Sequence, residues 1–322
     1  SACLVGSEMC IRDRYVAGVD ENNVEQVLED IIKSGADIVF CVGPQMMPNS
    51  LKVAVAHPEV YILNCSLNAP HPYIRTYYGR MYEAKFLAGM IAGAVTDNER
   101  VAYIADYPIY GMIANINAFA LGVASVNPRA KVYLAWSKTK DYDRNKFLTE
   151  NDLHYVSDQD IITPNDASRY FGLYKLQDGQ ALNLAMPIWN WGVFYEKLLQ
   201  SVLAGSYKAE GQEQVKALNY WWGMSAGVID LICSKHVPYG VKRLADHLKS
   251  DITKGEVVPF FGQIYDQKGE LKNKGEHEMK PSDIMKMDWL VDNVVGSIPP
   301  MSEFVDNAKM VVELKGVEEN KL

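Results

Sequence analysis

The fold is decided by the run ADIVFCV at residues 36–42, an apolar stretch that a Gly-Pro pair ends at 43–44. An uninterrupted apolar run of this length predicts a strand buried on both faces, as in a parallel sheet. A second run, VYILNC at 60–65, repeats the pattern after a helix-like segment at 51–57. Before the first strand, apolar side chains recur at the helical period, at Val24, Val27, Leu28, Ile31 and Ile32. This alternation of helix and buried strand predicts a doubly wound α/β sheet.

The same rhythm continues through the middle of the chain. The sequence predicts a helix at 80–96, a strand at 101–106, a helix at 112–126 and a strand at 131–136. From 139 to 169 polar residues dominate, and no regular assignment follows. Small residues in the first of these helices indicate close approach to the sheet, namely Ala84, Ala88, Gly89, Ala92 and Gly93.

Composition excludes several classes of function. The chain has 322 residues, a net charge of −8 and an isoelectric point near 5.3. No cluster of lysine and arginine with interleaved aromatics appears, so nucleic acid is not an expected partner. The longest apolar stretches are about half the length that a transmembrane helix needs. The five cysteines form no closely spaced pair, and neither a metal nor a cofactor is expected.

Residues 1–14 are not expected to belong to the fold. The run LVGSEMCIRDR at 4–14 resembles an in-frame translation of a sequencing adapter and has no helical or strand periodicity. We therefore expect residues 1–14 to make no core contacts. The authentic first strand, any secretion signal and any lipid anchor are expected upstream of Tyr15. A sheet without its first strand has an open edge that favours aggregation.

Several motifs resemble, in their order along the chain, those of one protein family. They are YEAKFLAG at 82–89, NAFALGVASVNP at 117–128 with Trp136, WNWGVFY at 189–195, WWGM at 221–224, Pro259-Phe260 with Gly262, and MDW at 287–289. Together they are similar to the basic membrane protein (PnrA-like) family of binding proteins that serve ABC importers. They cover most of the chain between Val16 and Pro299.

The resemblance implies a type I periplasmic-binding-protein-like fold, in which two doubly wound α/β lobes close on a ligand in the cleft between them. It implies a purine nucleoside or related base as ligand, an ABC permease and ATPase complex as partners, and no catalysis. It also implies an extracytoplasmic protein, either a lipoprotein anchored to the cell membrane or a periplasmic protein. Contact with the membrane is then expected only through the missing lipid anchor.

The family's chain crossovers also imply how the lobes divide the sequence. Lobe 1 is expected to comprise residues 15–105 with 188–250. Lobe 2 is expected to comprise residues 106–187 with 251–299. Residues 300–322 are expected to form a C-terminal tail.

In open parallel sheets, ligands collect at the carboxyl ends of the strands. Aromatic faces there can stack on a purine, and amide or carboxylate groups can accept hydrogen bonds from ring N–H and ribose hydroxyl groups. The rule selects Gln45, Met46, Tyr107, Trp136, Gln159, Asp160 and Asp178. By the resemblance, Asp178 matches an aspartate that the family places after its penultimate second-lobe strand.

We expect Asp178 and Asp160, together with the two aromatic candidates, to face one cleft. Removal of the Asp178 carboxylate would leave a ligand donor unpaired. Asp178→Ala is therefore expected to weaken nucleoside binding by more than about tenfold.

Most of these candidates also have a purely structural explanation. Tyr107 precedes Pro108 and suits a surface turn, while Trp136 suits packing between the layers of the fold. Asp158 and Asp160 suit solvated turns. Four further tryptophans suit core packing better than a nucleobase cage, namely Trp189, Trp191, Trp221 and Trp222.

Two other classes of function stay open. A ligand-sensing module of a receptor or regulator would share the fold and the pocket, and neighbouring permease and ATPase genes would distinguish transport from sensing. A nucleoside-processing enzyme is the weaker alternative, because an enzyme needs an activated group. The six histidines form no metal-spaced pair, and neither GxGxxG nor the P-loop motif occurs.

Overall fold

A computed structural model describes residues 14–20, 22–66, 73–160, 167–206 and 220–315. All of the segment 1–14 except Arg14 lies outside the described residues, so the expectation that it makes no core contacts stays a prediction. The chain divides after Cys65 into two compact units.

The N-terminal unit alternates helix and strand. It consists of α1 (Val24–Lys33), β1 (Ile38–Cys41), α2 (Met47–Ala56) and β2 (Tyr61–Cys65). The two strands pair in parallel, with Ile38 opposite Tyr61. α1 buries Val24 and Leu28, two of the residues whose spacing predicts it. The predicted alternation of helix and parallel strand is confirmed in this unit.

The second unit contains the remaining described elements. Its helices are α3 (Met81–Val95), α4 (Met112–Val126), α5 (Arg144–Glu150), α6 (Trp191–Leu203), α7 (Tyr239–Lys254), α8 (Pro281–Met285) and α9 (Asp306–Lys315). Its strands are β3 (Arg75–Gly79), β4 (Arg100–Ala105), β5 (Lys131–Trp136), β6 (Tyr155–Ser157), β7 (Leu173–Gln177), β8 (Gln180–Trp189), β9 (Tyr220–Trp222), β10 (Ile229–Cys233), β11 (Gln263–Tyr265), β12 (Leu271–Lys274) and β13 (Val294–Val295). The helices and strands predicted between 80 and 136 are confirmed. The stretch 139–169, which the sequence leaves unassigned, contributes α5 and β6.

Seven strands of this unit form one sheet in the order β10-β8-β7-β6-β4-β5-β13. β6, β4, β5 and β13 are parallel, whereas β7, β8 and β10 alternate in direction. β7 and β8 are antiparallel because the two-residue turn Asp178-Gly179 joins them, and so short a link permits only antiparallel pairing. Outside this sheet, β3 pairs in parallel with β9, and β11 pairs with β12 as an antiparallel hairpin.

The lobe limits expected from the family's crossovers stay a prediction. The strand pairing shows that β4 and β10 lie in the same sheet as β5 to β8. Wherever the lobes divide, Arg100–Ala105 and Ile229–Cys233 therefore belong to the lobe that contains this sheet.

The core of the second unit contains a close crossing of α3 and α4, whose side chains are mostly buried. A Cβ atom on Gly122 would overlap the carbonyl oxygen of Phe86, and one on Gly89 would overlap that of Phe119. The expectation that the small residues of α3 approach the sheet is wrong for Gly89 and Gly93, because their nearest neighbours lie on α4. Glycine is needed here because two helix backbones meet.

Several motif segments contact one another in this unit. The side-chain amide of Asn117, on α4, donates to the carbonyl oxygen of Trp289 at 2.8 Å and accepts from the backbone N–H of Val291 at 3.0 Å. The carboxylate of Glu83, on α3, accepts from the backbone N–H of Met224 at 2.6 Å. Each contact joins two segments that are far apart in the sequence. Asn117 and Glu83 therefore have a structural role in these motifs.

Candidate functional site

Polar residues of the second unit gather at one edge of the seven-stranded sheet. β4, β5, β6 and β8 all end at this edge, which we call the carboxyl edge. Because ligands collect at the carboxyl ends of parallel strands, this edge is the candidate site. The residues that follow or end these strands there are Asp106, Ser137, Asp158, Asp160 and Trp189.

A buried ion pair holds Asp160 in place. The Nζ atom of Lys85, on α3, lies 2.6 Å from Oδ1 of Asp160 and 3.2 Å from the hydroxyl of Ser157. It also lies 5.0 Å from the ring centre of Tyr103. The Lys85 side chain is 1% exposed and the Asp160 side chain 21% exposed, so the carboxylate is the member of the pair that reaches solvent. Burial raises the pKa of Asp160, and the charge of Lys85 opposes that rise.

Asp158 makes its contacts within the protein. Its Oδ1 accepts from the backbone N–H of Gln159 at 2.8 Å, and its Oδ2 accepts from the hydroxyl of Tyr174 at 2.9 Å. Arg144 donates to the same hydroxyl, and its guanidinium lies 3.8 Å from the ring centre of Tyr170. Burial raises the pKa of Asp158. Because the side chain is buried and bonded on both oxygens, we assign it a structural role.

Asp106 and Tyr107 begin the loop that follows β4. The hydroxyl of Ser137 donates to Oδ1 of Asp106, which ties the ends of β4 and β5 together. Burial, and then the charge of Asp106, raise the pKa of the half-buried Tyr107. The charge of Asp106 also acts on Asp160. The two carboxylates therefore belong to one electrostatic cluster at the carboxyl edge.

Aromatic side chains lie at the same edge, where β8 ends at Trp189. Trp189 and Trp191 stack with their ring centres 5.1 Å apart and their planes 6° apart, and Tyr78 meets Trp189 edge-on at 5.0 Å. Both tryptophans are partly exposed. We call Tyr78, Trp189 and Trp191 the aromatic wall.

The structure brings three of the predicted site residues, Tyr107, Gln159 and Asp160, to the carboxyl edge. Gln159 is exposed, and its carbonyl oxygen accepts from the backbone N–H of Gly172 at 2.7 Å. Trp136 also ends a strand at this edge, but it is 6% exposed and its indole N–H donates to the carbonyl oxygen of Ser297 at 2.8 Å. This contact favours the packing explanation for Trp136.

Gln45 and Met46 lie in the N-terminal unit, in a 3-10 turn that follows β1. Asn64, on β2, donates to the carbonyl oxygen of Gly43 at 2.9 Å and so fixes the start of this turn. Met46 is buried, and its carbonyl oxygen accepts from the hydroxyl of Ser50 at 2.8 Å. The turn lies at the carboxyl end of a parallel strand, as the rule requires, and its role in binding stays a prediction.

Asp178 lies at the opposite edge of the seven-stranded sheet. It forms an exposed turn with Gly179, and their φ angles of 50° and 74° are those of a type I′ hairpin. β7 is antiparallel to β6, with Leu173 opposite Ser157. The strand then runs about 17 Å, at roughly 3.3 Å per residue, before it reaches Asp178. The structure therefore does not bring Asp178 and Asp160 together, contrary to the expectation that both face one cleft.

Sequence reasoning missed three charged residues of this edge, Lys85, Asp106 and Arg144. Lys85 carries a signal, because a lysine inside an otherwise apolar helix needs a partner if it is buried. Arg144 follows Asp143, which caps α5 by accepting from the backbone N–H of Lys146 at 3.0 Å. That capping signal predicts the helix, but it does not show what the guanidinium contacts.

Within the residues that the structure describes, no three histidine, cysteine, aspartate or glutamate side chains converge as a metal site requires. In the same ranges, no helix combines the length and the apolar character needed to cross a bilayer.

Comparison with known proteins identifies the family. A family model described as PnrA-like ABC transporter substrate-binding protein matches residues 7–170, about half of the chain. The chain is 26% identical over 290 residues to the purine-binding protein of Brucella abortus, a match that covers 86% of this chain and 81% of the relative. It is 28% identical over 231 residues to a Haloferax volcanii protein named as an ABC transporter glucose-binding protein, which covers 68% of this chain and 57% of the relative.

Solved structures share the fold. An ABC transporter solute-binding protein from Conexibacter woesei matches with a TM-score of 0.52 at 16% identity, covering 74% of this chain and 84% of that one. A transcriptional activator of the comK gene from Bacillus halodurans matches with a TM-score of 0.57 at 14% identity, covering 75% and 87%. At these identities the likeness shows the fold alone, and it confirms the predicted type I periplasmic-binding-protein-like α/β class. With its family match, the chain belongs to the PnrA-like ABC transporter substrate-binding proteins.

Proposed function

We propose that this protein captures a purine nucleoside or related base at the carboxyl edge and delivers it to an ABC permease and ATPase complex. Members of its family are extracytoplasmic substrate-binding proteins of ABC transporters, so a small-molecule ligand follows from the family. The observation that supports this site is Asp160, which the buried Lys85 holds in place and whose carboxylate is partly exposed. The aromatic wall lies at the same edge of the sheet, because β8 ends there at Trp189.

The chemistry of the edge suits a neutral ligand that donates hydrogen bonds and has a flat face. A carboxylate accepts about four hydrogen bonds, and Lys85 uses one of those of Asp160. Ring N–H groups and ribose hydroxyls are suitable donors for the rest. The stacked rings of Trp189 and Trp191 are partly exposed and supply apolar aromatic surface for a base at this edge.

A hexose is the second candidate ligand. One relative is named as a purine-binding protein and the other as a glucose-binding protein, and the identity to the two is similar. A sugar also presents several hydroxyl donors and an apolar ring face that packs on tryptophan. Because both ligands fit the same side chains, binding has to be measured with both.

Asp160→Asn is expected to weaken adenosine binding by about tenfold or more, because the amide lacks the charge that strengthens the hydrogen bond. Isothermal titration calorimetry with adenosine, guanosine, adenine and glucose measures the affinity, and circular dichroism checks the fold. Asp178→Ala is the matched control, since it removes an exposed carboxylate from the opposite edge and is expected to leave the affinity unchanged.

Three outcomes would contradict parts of this proposal. Loss of affinity in Asp178→Ala but not in Asp160→Asn would indicate that the ligand binds at the Asp178-Gly179 turn and not at the carboxyl edge. Heat with glucose alone would identify a sugar as the ligand. The absence of heat with any purine would overturn the purine class.

The proposal also includes export, a lipid anchor and the absence of catalysis. Labelling of the cellular protein with radioactive palmitate tests the anchor. Chromatography of adenosine after long incubation with pure protein tests for turnover, and we expect the nucleoside to be recovered intact. Loss of nucleoside uptake in a deletion strain would separate transport from sensing.

A further inference from the structure

Lys85 is an unusual residue for its position. It lies on α3 among apolar side chains and is 1% exposed. A lysine is almost never fully buried unless it is paired, because removal of its charge from water is costly. Its ammonium group is bonded to Asp160 and Ser157 and contacts the ring of Tyr103. The burial of Lys85 therefore depends on groups of the carboxyl edge.

The charges around Asp160 come from three parts of the fold. Lys85, on α3, attracts its carboxylate, whereas Asp158, which precedes it in the chain, and Asp106, which follows β4, repel it. Arg144 is close to Asp158, with 3.7 Å between its Nε and Oδ2 of that carboxylate. In the described part of the chain, Lys85 is thus the cation whose charge favours the ionised form of Asp160 against burial and against repulsion by the other carboxylates.

We propose that Lys85 is a positioning residue that holds Asp160 as an ionised hydrogen-bond acceptor and so restricts the site to uncharged or cationic ligands that donate hydrogen bonds. This inference rests on the proposed function for its ligand, but the state of Asp160 can be measured without one. Among the described residues, the carboxylates of Asp106, Asp158 and Asp160 outnumber the two cations, Lys85 and Arg144, and leave the cluster negative. We therefore expect adenosine to bind and adenosine monophosphate to be rejected.

The expected pH dependence follows from the direction of the pKa change. The pKa of Asp160 is raised by burial, so affinity for a donating ligand is constant above that pKa and falls as the pH drops through it. Removal of the Lys85 charge raises the pKa of Asp160 further. The loss of affinity then begins at a higher pH.

The test uses Lys85→Met, which removes the charge and the donor, and Lys85→Gln, which removes the charge alone. The ¹³C resonance of the Asp160 carboxyl, assigned by its absence in Asp160→Asn, is followed against pH in the ligand-free protein. In both variants its midpoint is expected to move to higher pH by about one unit or more, since an opposite charge at this distance has an effect of that size. Lys242→Met, which breaks an exposed ion pair with Asp246 on α7, is expected to leave the midpoint unchanged.

Calorimetry with adenosine and adenosine monophosphate between pH 5 and 8 gives the second readout. The affinity of the Lys85 variants for adenosine is expected to be about tenfold or more below that of the unaltered protein at neutral pH. An unchanged Asp160 midpoint in both variants, or tighter binding of the monophosphate than of adenosine by the unaltered protein, would overturn the inference. If the midpoint moves but no purine binds, the proposed ligand fails while the positioning role of Lys85 stands.

Discussion

Gly122→Ala is expected to lower the free energy of unfolding by about 3 kcal/mol or more. The new methyl group would overlap the carbonyl oxygen of Phe86 and would lie 2.9 Å from the backbone nitrogen of Met90. Both atoms belong to the backbone of α3, so no side chain can rotate to relieve the overlap. The two helices would have to move apart, and close packing on both sides resists that movement. Gly89→Ala is expected to have the same effect, because its methyl group would meet the backbone of Phe119.

Gly192 provides the matched control for this experiment. It also lies in a helix, α6, but a Cβ atom there would have no heavy atom within 4 Å. Gly192→Ala is therefore expected to leave stability unchanged or to raise it by up to about 1 kcal/mol. Urea unfolding followed by circular dichroism measures all three variants. Equal stability of Gly122→Ala and the control would show that the helices do not cross at this glycine.

Asn117→Ala is expected to lower the free energy of unfolding by about 2–3 kcal/mol. The Asn117 side chain is fully buried and satisfies two backbone groups, the carbonyl oxygen of Trp289 and the N–H of Val291. Alanine leaves both groups without this partner and leaves a small cavity beside the segment that contains them. Hydrogen exchange of the Val291 amide is expected to become faster, because its hydrogen bond is lost.

Asn145→Ala is the control, since Asn145 is an exposed residue of α5. A surface substitution of this kind changes stability by about 0.5 kcal/mol or less. Similar unfolding curves for the two asparagine variants would mean that Asn117 does not hold the 289–291 segment.

The local structure of this protein could be read from its sequence wherever the signal was itself local. The apolar run at 36–42 forms β1, and the apolar spacing from Val24 forms α1. These predictions succeeded because hydrophobic periodicity depends on residues within one or two turns of each other. The motifs from 82 to 289 likewise indicated the family that the comparisons identify.

Asp178 was misplaced although the sequence around it carried a local signal for a hairpin. The general rule that ligands bind at the carboxyl ends of parallel strands was applied instead of that signal. The pair Asp178-Gly179 is a strong two-residue hairpin signal. The rule for ligand sites assumed a parallel strand before Asp178. A hairpin reverses the chain, so the carboxyl end of β7 lies at the other edge of the sheet.

The sequence by itself determined the alternation of helices and strands and the family to which the chain belongs, whereas the crossing of α3 and α4 at their glycines emerged only from the tertiary structure. Only the tertiary structure decided which side chains meet at the carboxyl edge. Lys85 and Asp160 are separated by 75 residues in the chain, yet Nζ of Lys85 lies 2.6 Å from Oδ1 of Asp160. No local pattern specifies such a pair, since the place of Lys85 in an apolar helix indicates that it needs a partner but not which one. A charge that leaves water requires a partner, and the fold determines which partner is within reach.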